Sequence, residues 1–327
     1  MIVLPKTSRP VSVLPDMRRR RADYYYREAA RLARLGAHDQ ALAACNRVID
    51  LAPGYAEAHY LRAFEFSHLG RHAEALADFD QVAALMPGET DAAYHRGSQL
   101  SRLGRHTEAL AAVDEFLRTA PGNANALMLR GAELVALHRD EEALDAFGEV
   151  VARDPGYAMG HYNRAMTLAR LGRNSEAFAA YDRAVAGASD PTFFRTRKGV
   201  ALAGVGDFDS ALTEFDAAYR AAPEKAGEAE AWAGAILWHR GKDQDARKRF
   251  ARVKGRVSGN TAFGAAELEA IARCALGDPN GAEQALRAAK SRQGPVHQDT
   301  LAPLYELLAA PPLAGVDQLR VIATADR

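Results

Sequence analysis

Residues 56–87 read AEAHYLRAFEFSHLGRHAEALADFDQVAALMP, and they encode two amphipathic helices with a turn between them. Tyr60, Ala63, Phe66 and Leu69 hold one apolar stripe at helical spacing. Gly70 interrupts it, and Ala75, Leu76, Phe79, Val82 and Ala83 begin a second stripe. Pro87 ends that stripe, because proline has no amide proton to donate and biases the preceding residue away from helix. Ala63 and Ala75 matter for their smallness, since two helices cross closely only where neither presents a large side chain.

Outward from this stretch the same signals return every 34 residues. The turn position is Gly36, Gly70, Gly104, His138, Gly172 and Gly206. Five residues later stand Ala41, Ala75, Ala109, Ala143, Ala177 and Ala211. The closing proline is Pro53, Pro87, Pro121, Pro155 and Pro223, with Ser189 at that position in the fifth unit and its proline moved to Pro191. Phe79, Phe147, Tyr181 and Phe215 share one position of the second helix, where Cys45 and Val113 stand in the remaining units.

Small residue, Leu-Gly, alanine, aromatic and proline at this period resemble the tetratricopeptide repeat over about residues 22–223. The expected architecture is an all-α solenoid of helix-turn-helix repeats, which the resemblance implies winds as a right-handed superhelix. The chain divides into an extended, proline-containing arm at 1–21, a solenoid at 22–294, and a capping helix with a tail at 295–327. Within the solenoid are six clear repeats at 22–225, a seventh at 227–260 and a degenerate eighth at 263–294. The stretch QDTLAPLYELLA at 298–309 is expected to form a helix over the last apolar face.

In the resembling family the first helices line a concave groove. Its groove positions, carried over residue by residue, are Tyr26, Ala30 and Ala33, then Tyr60, Phe64 and Ser67, then Tyr94, Ser98 and Ser101. They continue with Met128, Ala132 and Val135, then Tyr162, Met166 and Ala169. The sixth unit offers Thr196, Val200 and Ala203, and the seventh Ala231, Ala235 and Trp238. Tyr26, Tyr60, Phe64, Tyr94, Ser98, Met128, Tyr162, Met166 and Trp238 are the candidate partner-binding residues. An extended peptide or partner helix with apolar anchors suits such a wall. The recurring tyrosine has a second reading, stacking on the neighbouring helix. The family subset that clamps C-terminal carboxylates carries Lys and Asn where this chain has Tyr26 and Ala30, which argues against that ligand.

Arg62, Arg96, Arg130 and Arg164 form a ladder at the repeat spacing, with Asp80, Asp114, Asp182 and Asp216 on second helices at the same period. Equal periods keep opposite charges in step, so Arg–Asp pairs between packed helices are expected. The alternative is an arginine row that reads phosphate or acidic side chains. Aspartates capping the arginines decide between them.

Lys plus Arg equals Asp plus Glu at 42 each among 327 residues, so no whole-chain field favours nucleic acid or an anionic membrane. Cys45 and Cys274 lie in different repeats, which argues against a disulfide framework and fits a reducing compartment. No apolar run approaches the roughly 20 residues that span a bilayer, and the N-terminus has no secretory pattern. A cytoplasmic protein is expected, and the Ala- and Arg-rich composition suggests a bacterial one. His59 and His161 share one repeat position and His72 and His106 another, so repetition accounts for them better than metal ligation does. His138-Arg139-Asp140 matches three letters of a kinase catalytic loop without its companion motifs. No cofactor fingerprint, metal site or catalytic set is found, and an enzyme is not expected.

Two basic runs remain. Arg18 to Arg21 precede the first repeat. Lys242 to Arg256 carry seven basic residues against Asp243 and Asp245, a solvated face or a docking patch for an acidic partner or nucleic acid. The arm, with Pro5, Pro10 and Pro15 among Val and Leu, is either a leader or a segment that packs on a repeat surface and mediates self-association. The expected function is a protein-interaction scaffold or adaptor that binds a peptide or partner helix. Its alternative is a regulatory or secretion and assembly accessory module whose ligand switches a separate enzyme or complex.

Overall fold

The computed structural model describes residues 16–88, 90–253, 262–293, 301–309 and 313–324. Eighteen helices and no strand occur among the described residues, so the protein is an all-α helical repeat solenoid. It forms two compact units divided between Asp154 and Pro155.

The first unit pairs α1 (Asp16–Arg34) with α2 (His38–Leu51), α3 (Ala56–His68) with α4 (His72–Leu85), α5 (Asp91–Arg102) with α6 (His106–Thr119), and α7 (Ala124–Ala136) with α8 (Asp140–Arg153). Helix α1 begins at Asp16, six residues ahead of the first repeat boundary in the sequence, so Met17 to Arg21 are helical. Residues 1–15 of the arm lie outside the described residues.

In the second unit α9 (Ala158–Arg170) pairs with α10 (Asn174–Gly187), α11 (Thr192–Gly204) with α12 (Phe208–Ala221), α13 (Gly227–His239) with α14 (Asp243–Val253), and α15 (Ala262–Ala275) with α16 (Pro279–Gln293). Two short helices follow. Helix α17 (Ala302–Ala309) packs on α13, and α18 (Val316–Thr324) packs on α15 and α16. Leu304, Leu308, Leu319 and Ile322 thereby join one core with Phe215, Trp232, Phe250 and Ile271.

Each hairpin turn uses the same device. Gly70 has φ 73°, its N–H donates to Ser67 O at 3.0 Å, and the Arg71 N–H donates to Phe66 O at 2.8 Å. This is a Schellman cap, which satisfies carbonyls that the helix end would otherwise leave open. His138 takes the same left-handed conformation at φ 58°, the one described residue other than glycine to do so. Close crossing of the paired helices requires small residues. A Cβ on Gly131 would sit 2.4 Å from the Phe147 ring, and one on Gly199 would sit 2.5 Å from Phe215. The Phe147 and Phe215 rings therefore fill the notches that Gly131 and Gly199 leave.

Candidate interaction surface

First helices carry all nine candidate residues, and the structure treats them unequally. In the first unit, Tyr60 is only 2% exposed. Its ring packs against Phe64 at 5.0 Å, Phe79 at 5.7 Å and His95 at 5.7 Å. His95 fills the centre of this group, 4.7 Å from Phe64, stacked 5.4 Å from Phe79 and 5.2 Å from Tyr94. Burial strips the imidazolium of hydration and lowers the His95 pKa to about 4. Tyr60, Phe64 and Tyr94 thus come together around a neutral histidine. Tyr26 is half-buried against Tyr55 at 5.3 Å, and burial pushes its phenol up to about 12. Ser98 is half-buried, and Met128 is half-buried against the core of Leu110, Leu134 and Phe147.

The second unit differs. Met159 is 41% exposed, Met166 42% and Phe193 38%. Met159, Tyr162 and Met166 share one face of α9 at helical spacing, and the Phe193 ring of α11 meets Tyr162 edge-on at 5.2 Å. Phe194 lies beneath, 5.9 Å from Tyr162 and buried. The Tyr181 hydroxyl donates to the Met166 sulfur at 3.1 Å, which fixes that side chain over the patch. Arg197 stands at the rim, its guanidinium 5.5 Å from the Phe193 ring and hydrogen-bonded to Glu228. Trp238 does not join this surface, because at 8% exposure it belongs to the core of α13.

Met159, Phe193 and His95 are among the cluster residues that fall outside the nine. Met159 and Phe193 lie one helical turn before the positions of Tyr162 and Thr196, so the face extends further toward the helix N-termini than the carried-over positions. His95 immediately follows Tyr94, and its signal was an imidazole where neighbouring repeats have Leu61 or Leu129.

The arginine ladder is largely engaged by acids. Arg62 forks onto Asp78 with two bonds of 2.7 Å and reaches Asn46 at 2.6 Å. Arg96 donates to Asp80 at 2.6 Å, Arg130 to Asp114 at 2.8 Å, and Lys198 to Asp182 at 2.6 Å. Each of these partners, except Asp78, lies sixteen residues before its cation. Sixteen residues before Arg164 stands Gly148, which offers no side chain. Asp216 belongs to Arg249 instead. The expectation of structural pairs therefore holds for Arg62, Arg96 and Arg130, and an anion-reading row formed from them is excluded. Burial pushes the Asp78 carboxyl up, but hydrogen bonds from Arg62 and His59 outweigh it and leave its pKa below the ordinary value.

Five histidines are structural joints. His59 and His161 place Nε2 against the carbonyls of Pro53 and Pro155 at 3.0 and 2.9 Å. Nδ1 of His38, His72 and His106 meets Glu65, Gln99 and Glu133 of the following first helix at 2.7, 2.9 and 2.8 Å. These acceptors are buried, so each histidine supplies a partner to a polar group that would otherwise be costly. Both cysteines are free and buried, and burial pushes their thiols up, to about 12 for Cys45 and about 11 for Cys274. Among the described residues no group of three or more His, Cys, Asp and Glu could hold a metal ion, and no helix is long and apolar enough to cross a membrane.

A family profile described as tetratricopeptide repeat matches residues 60–124, 128–191 and 196–261, more than half of the chain. The chain belongs to the tetratricopeptide repeat family. Such repeats generally serve as protein-interaction scaffolds, and the repeats of this chain support that role. Among solved structures, a MamA RS-1 double mutant is similar with a TM-score of 0.50 at 22% identity, over 51% of this chain and 94% of that one. MamA from Desulfovibrio magneticus RS-1 is similar with a TM-score of 0.49 at 22% identity, over 50% and 93%. YrrB, a TPR protein with an unusual peptide-binding site, gives 0.48 at 24% identity, over 52% and 88%. At these identities the likeness is one of fold. No curated protein matches the chain.

Proposed function

We propose that this tetratricopeptide protein holds a peptide or partner helix on the first-helix face of its second unit, with Met159, Tyr162, Met166 and Phe193 as the contact surface. One observation carries the reading: three large apolar side chains stand open on adjacent first helices around one half-buried tyrosine. Other exposed leucines, such as Leu35, Leu69 and Leu103, sit singly beside turn glycines and build no such surface. Isolated exposed apolar residues are ordinary, whereas a contiguous patch with a polar rim marks an interaction site.

The chemistry of the patch sets what it accepts. Methionine is unbranched and adapts its shape to several partners, while the Tyr162 and Phe193 rings stay fixed against each other. Apolar anchors supply affinity, and Arg197 with Glu228 at the rim fixes register. Random peptides displayed and selected against the whole chain test this. Selected peptides carry at least two large apolar residues, and M166A with F193A weakens them by about tenfold or more, as loss of hot-spot contacts does. Selection of peptides whose binding ignores both substitutions rejects the proposal.

A further inference from the structure

The basic run at the seventh repeat builds a cleft of about 240 Å³ lined by Asp216, Tyr219, Arg220, Arg249 and Arg252. Its walls are α12 and α14, the second helices of two successive repeats, so it lies apart from the apolar patch on the first helices. Three guanidiniums converge there, and their roles differ. Arg249 is committed: it donates to the buried Glu230 at 2.8 Å and also to Asp216. Arg252 is exposed, reaches Glu230 only at 3.3 Å, and rests its guanidinium 4.9 Å from the centre of the Tyr219 ring. Arg220 is exposed and uses Nε on its own helix, donating to the Asp216 carbonyl at 3.3 Å. Two carboxylates therefore face three guanidiniums, and Arg220 and Arg252, the two less committed of the three, both line the cleft.

We propose that this cleft binds the phosphate of a phosphate monoester, presented on a protein side chain, between Arg220 and Arg252. A planar fork donates two parallel bonds to a tetrahedral oxyanion, and stacking on Tyr219 presets the orientation of Arg252. Arg249 holds the site in place by bonding both Glu230 and Asp216. Three guanidiniums against the carboxylates of Asp216 and Glu230 leave a net charge of +1, so attraction outweighs the repulsion from Asp216 and grows with the charge of the anion. Nucleic acid fits less well. Single-strand sites offer open aromatic faces for bases along a positively charged groove, whereas the Tyr219 ring is covered by Arg252.

The test is a titration of the whole chain, following the arginine Nε–H signals by NMR. The probes are inorganic phosphate, N-acetyl-O-phosphoserine amide, N-acetylglutamate amide and an oligothymidylate. Saturable shifts confined to Arg220, Arg249 and Arg252 with the two phosphates are expected, with phosphoserine amide at least about tenfold tighter than glutamate amide. R220Q and R252Q each weaken phosphoserine amide by about tenfold, and D216N tightens it about threefold as one repelling charge leaves. Circular dichroism of each variant confirms that the fold persists. No saturable shift, indifference to R220Q and R252Q, equal binding of the glutamate amide, or tighter binding of oligothymidylate through the same arginines overturns the proposal.

Discussion

Tyr60 in the first unit and Tyr162 in the second occupy the same repeat position, yet one is core and the other frames a surface. What differs is the residue thirty-five positions on. After Tyr60 it is His95, a flat ring that wedges among Tyr60, Phe64 and Phe79 and closes them off. After Tyr162 it is Arg197, whose guanidinium bonds Glu228 at the rim and leaves Phe193 and Met166 open beside the half-buried Tyr162. A repeat position therefore does not decide exposure by itself. The side chain that the next first helix lays across it decides whether the aromatic is closed off or left at the surface.

The largest effect that sharpens this comparison is the cost of deleting each tyrosine. Tyr60→Ala empties a buried site and is expected to lower stability by about 3–5 kcal/mol, as aromatic truncations in cores do. Tyr162→Ala removes a ring with one open side and should cost clearly less, about 1–2 kcal/mol, while abolishing binding of peptides selected on the patch. Urea unfolding of both variants makes the test, and equal losses would break the distinction.

The wedge itself predicts a pH signature. His95 has a folded pKa of about 4 against the ordinary 6.5. The unfolded chain therefore binds the extra proton between these values, and stability falls as pH drops from 6.5 toward 4. The shift corresponds to a loss on the order of 2–3 kcal/mol. His95→Phe keeps the wedge without the titration. Acid sensitivity contributed by Asp78 and other groups is common to both proteins, so the wild type minus H95F difference in unfolding free energy isolates His95. That difference should change through this window and stay flat above it.

Smaller effects separate the rungs of the ladder. Arg62→Ala strips both fork bonds from the buried Asp78, and a loss of about 1–3 kcal/mol is expected. Arg130→Ala breaks a single bond to an exposed Asp114 carboxylate and should cost no more than about 1 kcal/mol. Arg164→Ala, with no side chain at Gly148, should cost least of the three.

The scaffold was legible in the sequence because its constraints repeat. Gly70 had to adopt a positive φ, Ala75 had to be small, Phe79 had to fill the notch, and Pro87 had to end the helix, and each reappears at one period. The charge ladder was legible in kind but not in detail: Asp80 serves the arginine of the following repeat, while Arg62 turns to Asp78. Helix α18 escaped because Val316, Leu319 and Ile322 form a short apolar pattern outside the repeat period. The start of α1 at Asp16 escaped because four arginines in a row suit a helix as well as an arm. The open patch was only half legible. Tyr162 and Met166 follow from the family's groove positions, but exposure of Met159 and Phe193 depends on a neighbouring helix that no single repeat encodes.

Methionine methyl NMR tests the central claim most directly, since the chain has six methionines and two of them, Met159 and Met166, belong to the patch. On titration with a peptide selected against the whole chain, the account predicts that the Met159 and Met166 signals shift and saturate together while Met17, Met86 and Met128 stay in place. Saturable shifts confined to Met128, or to none of these residues despite tight binding, would contradict it.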